Sequence, residues 1–234
     1  LNNQEYAKST FAGSAKAIIE NKIINIKIKC LLFIIILFNG KNMVIYLNSF
    51  LSISIMLVFK GKRGKVYKIL NFAIKIKNKD SKSVGRIENE VKWLKKLNMH
   101  GIGPKLYYGN DKFLVSSFIK GETITDYFKH CSYEDKLLII KDVLRQCYIL
   151  DKLKVDKFEM HRPLKHIIIK KNKVTMIDFE RCKFSQKPKN LTQFAQFANK
   201  YVKVDRTLLK NLLWEYKKDF SEINYKKILN LFCK

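Results

Sequence analysis

Arginine is scarce in this sequence: six of its 47 basic residues are Arg, at 63, 86, 145, 162, 181 and 206, and the other 41 are Lys. A surface built to read nucleic-acid bases leans on the planar Arg fork. The formal net charge of +27 therefore speaks first to a solvated Lys surface and non-specific attraction. Proline and glycine are few, 3 and 9, which excludes collagen-like and Pro/Gly-rich disordered chains. The five cysteines, at 30, 131, 147, 182 and 233, include no Cys-x-x-Cys pair and leave an odd member. Neither a zinc site nor a disulfide framework is indicated, and reduced, buried thiols of an intracellular protein are expected. What is present is globular: 234 residues, 47% hydrophobic and 12% aromatic, suffice for one or two small domains with a real core.

Residues 1–55 differ from the rest. They contain no Arg, and their six Lys and two Glu give a net +4, leaving +23 on the other 179 residues. An apolar run occupies 30–38, and residues 43–59 carry no charge. The first run is too short to span a bilayer, and the second reaches about 17 residues, the lower limit for a spanning helix. Three readings compete: a membrane anchor with Lys22, Lys27 and Lys29 on the cytoplasmic side, a signal-like segment, or upstream sequence joined by a misplaced start. The last is favoured, because the chain begins with Leu and because Met43 and Met56 both precede recognisable domain sequence. Residues 1–55 are accordingly set apart from the fold.

From Met56 the pattern alternates. Residues 56–59, 66–70 and 72–76 read as strands, with Gly61 and Gly64 bounding a turn. Ile87, Val91, Leu94 and Leu97 then mark a helix over 87–97, stopped by the Gly101-Ile102-Gly103-Pro104 segment. Strands are expected at 106–108 and 113–118, helices at 123–128 and 134–153, and a hairpin at 167–177. From about 192 the chain reads as helical, with Leu208, Leu209, Leu212, Leu213 and Trp214 packing inward. Five strands with one helix, followed by a mainly helical part, make a bilobal α+β arrangement.

Chemistry-bearing residues fall along that frame in a fixed order. Gly61-x-x-Gly64-x-Val66 is a partial Gly-rich loop of the kind that lets backbone N–H groups approach phosphates. Ala73-Ile74-Lys75 ends in a Lys flanked by core residues, which needs a carboxylate partner. Glu90, fifteen residues on, lies nearer the apolar face of its helix than the alternative Glu88. Asp178, at the end of the strand in Met176-Ile177-Asp178-Phe179-Glu180, is a reasonable Mg²⁺ ligand.

In this order the motifs resemble the protein kinase signature set, over 56 to about 197, and are most similar to small archaeal, RIO-like atypical Ser/Thr kinases. The stretches 90–104, 113–122 and 177–180 carry the closest likeness. The resemblance implies a protein-kinase-like fold: a small N-lobe of antiparallel sheet plus one helix over 56–118, and a mainly helical C-lobe over 119–234. It also implies ATP and Mg²⁺ as cofactors. Lys75 would touch the α- and β-phosphates and pair with Glu90; Asp178 would hold Mg²⁺; Ser116, Ser117, Phe118 and Ile119 would form the hinge against adenine.

The catalytic loop departs from the family's His-Arg-Asp-Leu-x-x-x-Asn pattern. Aligning His161-Arg162 with its His-Arg places Pro163 and Ile168 where Asp and Asn belong. A register that sets His166 at the Asn position keeps 12 residues to Asp178 and makes His161 the base-position residue. His166 then becomes a metal ligand, and Glu159 is the alternative base. Arg162 and Arg181 are candidates for binding phosphate or pairing with Glu180, which replaces the Gly expected after Asp-Phe. No Ala-Pro-Glu segment follows, so a peptide-docking platform is not expected.

The expected function is an ATP- and Mg²⁺-dependent phosphotransferase acting on Ser/Thr hydroxyls of itself or a protein partner. The alternatives are a pseudokinase that binds nucleotide as a scaffold, and a basic accessory protein with an acidic or RNA-bound partner. A cytoplasmic location is expected, with membrane association confined to 1–55.

Overall fold

A computed structural model describes residues 57–60, 64–77 and 86–232. Every described residue falls within one compact unit, 53–234. The apolar runs of 1–55, the loop residue Gly61 and Cys233 lie outside the described residues.

Strands β1 (Leu57–Lys60), β2 (Gly64–Ile69), β3 (Phe72–Lys77), β4 (Leu106–Gly109) and β5 (Phe113–Ser117) form an antiparallel sheet in the order β1-β2-β3-β5-β4. Between β3 and β4 the chain makes helix α1 (Arg86–Asn98). The register sets Val66 opposite Lys75, Lys75 opposite Leu114, and Ala73 opposite Ser116. Side chains alternate across a strand, so Ala73 and Lys75 share one face of β3 while buried Phe72 and Ile74 take the other. Helix α1 seats Ile87 and Val91 against Leu114 on the Lys75 face. Gly109 in β4 is needed there, since a Cβ would run into the methyls of Val91.

Asn98 closes α1. Its Nδ2 donates to the carbonyls of Ile102 at 3.1 Å and Pro104 at 2.9 Å, and its Oδ1 accepts from the Leu106 N–H at 2.7 Å. One amide thus satisfies three backbone groups of the turn that feeds β4.

The remaining chain is mostly helical: α2 (Ile124–His130), α3 (Tyr133–Lys152), α4 (Asn190–Ala198), α5 (Arg206–Asp219) and α6 (Glu222–Leu231). Thr123, Ser132, Asp205 and Ser221 cap four of these by accepting an N–H from the first turn. Thr123, expected inside the helix, is instead its N-cap and ends the two-residue strand β6 (Glu122–Thr123). Helix α4 begins at Asn190, slightly before the expected point. Strand β6 pairs with β8 (Ile167–Lys170), which pairs with β9 (Lys173–Met176). A second small ladder joins β7 (Val155–Asp156) to β10 (Lys183–Phe184).

Ile139, Ile140, Val143, Leu144, Cys147 and Leu150 of α3 form the spine of the core, packed with Phe194, Phe197 and Ala198 of α4 and with Ile167 and Met176 of the hairpin. Helix α5 departs from expectation: Leu209, Leu213 and Tyr216 face the core, whereas Leu208 and Trp214 are exposed, Trp214 by 61%. Each helical residue advances about 100°, so five residues within a seven-residue stretch cannot all point inward. Among the described residues no helix is long and apolar enough to cross a membrane.

Candidate functional site

Lys75 is the hub. Its Nζ lies 2.7 Å from Glu90 Oε2, 3.1 Å from Asp178 Oδ1 and 3.0 Å from Glu180 Oε2. Burial works against its charge, but the three carboxylates outweigh burial and raise its pKa. Glu90 is buried on the inner face of α1, while Glu88 is exposed. The second oxygen of Glu90 accepts from the Phe179 N–H at 3.2 Å. One carboxylate thereby ties α1 to both the sheet and the segment after β9.

That segment is fixed from two further sides. Asn89 Nδ2 donates to the carbonyls of Glu180 at 3.0 Å and Cys182 at 2.8 Å, and Trp93 Nε1 donates to Cys182 O at 2.9 Å. From below, Lys157 donates to Ile177 O and Asp178 O, both at 2.8 Å, with its ammonium 4.6 Å from the Phe179 ring centroid. Lys157 is 1% exposed, and the two carbonyls and the ring replace its lost water. Asp178 sits between these clamps in a left-handed conformation, φ 63°, a region that Asp tolerates better than bulkier residues.

Asn89, Trp93 and Lys157 were not singled out in the sequence, and their partners explain why. Each binds backbone carbonyls, which leave no residue signature. The one available signal is a Lys between Asp156 and the apolar Phe158, two residues ahead of Glu159.

Asp178 divides its two oxygens. Oδ1 faces Lys75, and Oδ2 lies 3.7 Å from His166 Nδ1. Burial raises the Asp178 carboxyl, but Lys75 and Lys157 outweigh it and hold the pKa below the ordinary value. His166 is at the end of the loop that enters β8; burial and Lys157 depress its pKa, against Glu159 and Asp178. Its Nδ1 is buried and has no hydrogen-bond partner.

Glu159 completes this group. Its Oε2 is 3.7 Å from His166 Nδ1, and its Oε1 is held at 3.2 Å by Arg181 Nη1. Arg181 is itself stacked over Phe158 at 4.2 Å. Hence Arg181 pairs with Glu159 and not with Glu180, which is taken by Lys75 and by Arg86 at 3.1 Å. His161 and Arg162 are exposed, and Glu159 rather than His161 is in contact with His166 and Arg181.

Along the sheet edge of the site, Ser116 is buried, and Ser117, Phe118 and Ile119 are half-buried. The Ser117 N–H donates to Lys105 O at 2.9 Å and the Phe118 N–H to Asn71 O at 2.7 Å, which anchors this exit from β5 on both sides. Val66 and Ala73 are half-buried on β2 and β3, and Gly64 opens β2. Cys131, Cys147 and Cys182 are free thiols, and burial pushes the Cys182 thiol up to about 12.

A five-stranded antiparallel sheet with one helix, joined through 116–119 to a helical part that carries the Lys75 partner Asp178, defines a protein-kinase-like fold. Solved structures agree. The chain is similar to a high-resolution crystal structure of WbdD at TM-score 0.54 and 18% identity, over 75% of this chain and 44% of that one. It is similar to WbdD with the kinase inhibitor LY294002 at TM-score 0.52 and 18% identity, over 74% and 43%. A third structure, described as the bifunctional kinase-methyltransferase WbdD, gives TM-score 0.52 and 17% identity, over 73% and 42%. The chain thus spans less than half the length of these proteins, and the likeness is one of fold. No protein-family model matches the chain, and no curated protein does.

Proposed function

We propose that this chain is an ATP- and divalent-cation-dependent phosphotransferase of the protein-kinase-like superfamily. Its acceptor is a Ser or Thr hydroxyl of a protein, itself included, and its type is the minimal, RIO-like kinase. The observation that carries the reading is the Lys75 ammonium held at 2.7 Å by Glu90 of α1 and at 3.1 Å by Asp178 from beyond β9. A plain structural ion pair needs one carboxylate. An ammonium braced from two elements and facing a third carboxylate, Glu180, is poised to exchange part of that shell for phosphate oxygens.

The donor chemistry suits the cofactors. Asp178 Oδ2 and the orphaned His166 Nδ1 are the groups that would hold a divalent cation, which when bound neutralises charge on the phosphates. In this reading Lys75 orients the α- and β-phosphates, and Glu90 keeps Lys75 in position. Val66 and Ala73 lie under the base, and 116–119 line its edge. Glu159 is the general base: Arg181 fixes one oxygen at 3.2 Å and leaves the other to accept the proton of the attacking hydroxyl. Lys157 holds the backbone of the Asp178 turn.

The test is thermal stabilisation of the full chain by ATP, with and without divalent cation, followed by phosphate transfer from labelled ATP. Stabilisation lost in both Lys75→Ala and Asp178→Ala, with transfer abolished by Glu159→Gln, is the expected result. Stabilisation that is absent in the wild type, or unchanged in both variants, overturns the reading. A second reading, a nucleotide-binding scaffold without transfer, is favoured by Glu180, whose carboxylate competes with phosphate for Lys75 at 3.0 Å. Nucleotide binding with no transfer to any protein would select it.

A further inference from the structure

The nucleotide-binding reading above is the basis for an inference about the ion that accompanies the nucleotide. Oxygens of Glu90, Asp178 and Glu180 lie within 4.8 Å of one another, but this acidic cluster already encloses a cation, the Lys75 ammonium. The other oxygen of Glu90 accepts from the Phe179 N–H, and the other oxygen of Glu180 takes Arg86. Of the three, Asp178 is the one whose second oxygen faces an imidazole, with His166 Nδ1 at 3.7 Å. That nitrogen is buried and makes no hydrogen bond.

A separation of 3.7 Å is too long for a hydrogen bond. It does suit two donors of one ion, which at bonds of about 2.1 Å each stand roughly 3 to 4 Å apart. The pair is one oxygen and one imidazole nitrogen. Mg²⁺ demands oxygen and keeps its water, whereas imidazole is a better donor to first-row transition ions. We propose that Asp178 Oδ2 and His166 Nδ1 form a mixed donor pair that selects a first-row transition ion such as Mn²⁺ over Mg²⁺ for the bound nucleotide. His166 is the residue that sets the preference, and an amide at that position would restore the all-oxygen chemistry that Mg²⁺ prefers.

The experiment uses the full chain, a fluorescent ATP analogue, and MnCl₂ or MgCl₂. The analogue is expected to bind roughly tenfold more tightly with Mn²⁺ than with Mg²⁺. His166→Asn is expected to bring the two ions level. Pulsed electron paramagnetic resonance of the wild-type Mn²⁺ complex is expected to show nitrogen modulation from a directly bound imidazole, a readout that needs neither turnover nor a folded variant. Equal affinities in the wild type, or a Mn²⁺ spectrum without nitrogen coupling, overturns the inference and leaves the nucleotide-binding reading standing. Failure of the analogue to bind with either ion overturns both.

Discussion

Two buried polar centres of this protein are built on opposite principles. In the helical part, Asp151 of α3 accepts from Asn190 Nδ2 at 2.7 Å, from the Asn190 and Leu191 N–H groups at 3.2 Å, and from Tyr216 OH at 3.0 Å. Asn190 spends its remaining capacity on the Lys157 N–H at 2.8 Å and on Val155 O. Helix α4 has no side-chain cap of its own, so the Asp151 carboxylate does the capping from another helix. The centre around Lys75 and Asp178 is charged, and it contains a left-handed Asp, two 3.7 Å gaps and an orphaned imidazole nitrogen. A centre in which each group is matched specifies architecture; a centre left open has capacity for a ligand.

The sharpest way to break this comparison is Asp151→Ala, which strips the acceptor from four buried donors. A loss of about 4 kcal/mol in denaturant unfolding is expected, with the nucleotide affinity of the folded fraction unchanged. A loss below about 1 kcal/mol would place the two centres in the same class.

The pH dependence comes next. Burial lifts the Asp151 carboxyl to about 6 from 3.8, while its hydrogen bonds oppose the lift. The folded state therefore binds the proton more tightly than the unfolded state does. This contribution is fully present below pH 3.8 and is lost as the pH rises through 6. Relative to Asp151→Asn, the wild type should lose about 2 kcal/mol between pH 4 and pH 7, measured as the difference between the two unfolding curves. Parallel curves would show that the carboxyl is ordinary.

Lys157→Met sits between the centres, because Lys157 takes Asn190 with its backbone and the Asp178 turn with its side chain. Removing the ammonium leaves two carbonyls unpaired, at a cost of about 2 kcal/mol. Nucleotide affinity should fall too, unlike in Asp151→Ala, since the Asp178 turn loses its anchor. The smallest effect is expected at Trp214→Ala on the exposed face of α5, within about 0.5 kcal/mol by thermal unfolding.

Much of the frame was legible because it is local. Alternation over 72–77 and the 87, 91, 94, 97 spacing reflect periods of two and 3.6 that any chain must obey to bury one face. The clustering of Leu208, Leu209, Leu212, Leu213 and Trp214 misled, because composition without angular position does not say which side of a helix is covered. At the site, Lys75, Glu90 and Asp178 were legible as types in order. Asn89, Trp93, Lys157 and Asp151 were not, because their partners are backbone groups or side chains 20 to 93 residues away.

By itself the sequence determined the order of the five sheet strands, the main helices and the 167–177 hairpin, and the presence of one buried lysine in need of carboxylates, since these follow from burial along a single element; the two-residue strands β6, β7 and β10 left no such pattern. Only the tertiary structure decided that Asp178 and Glu180 join Glu90 around that lysine. It alone gave Arg181 to Glu159 and turned Asp178 Oδ2 toward His166. Such choices depend on distances between elements far apart in the chain, and side-chain charge and periodicity carry no record of them.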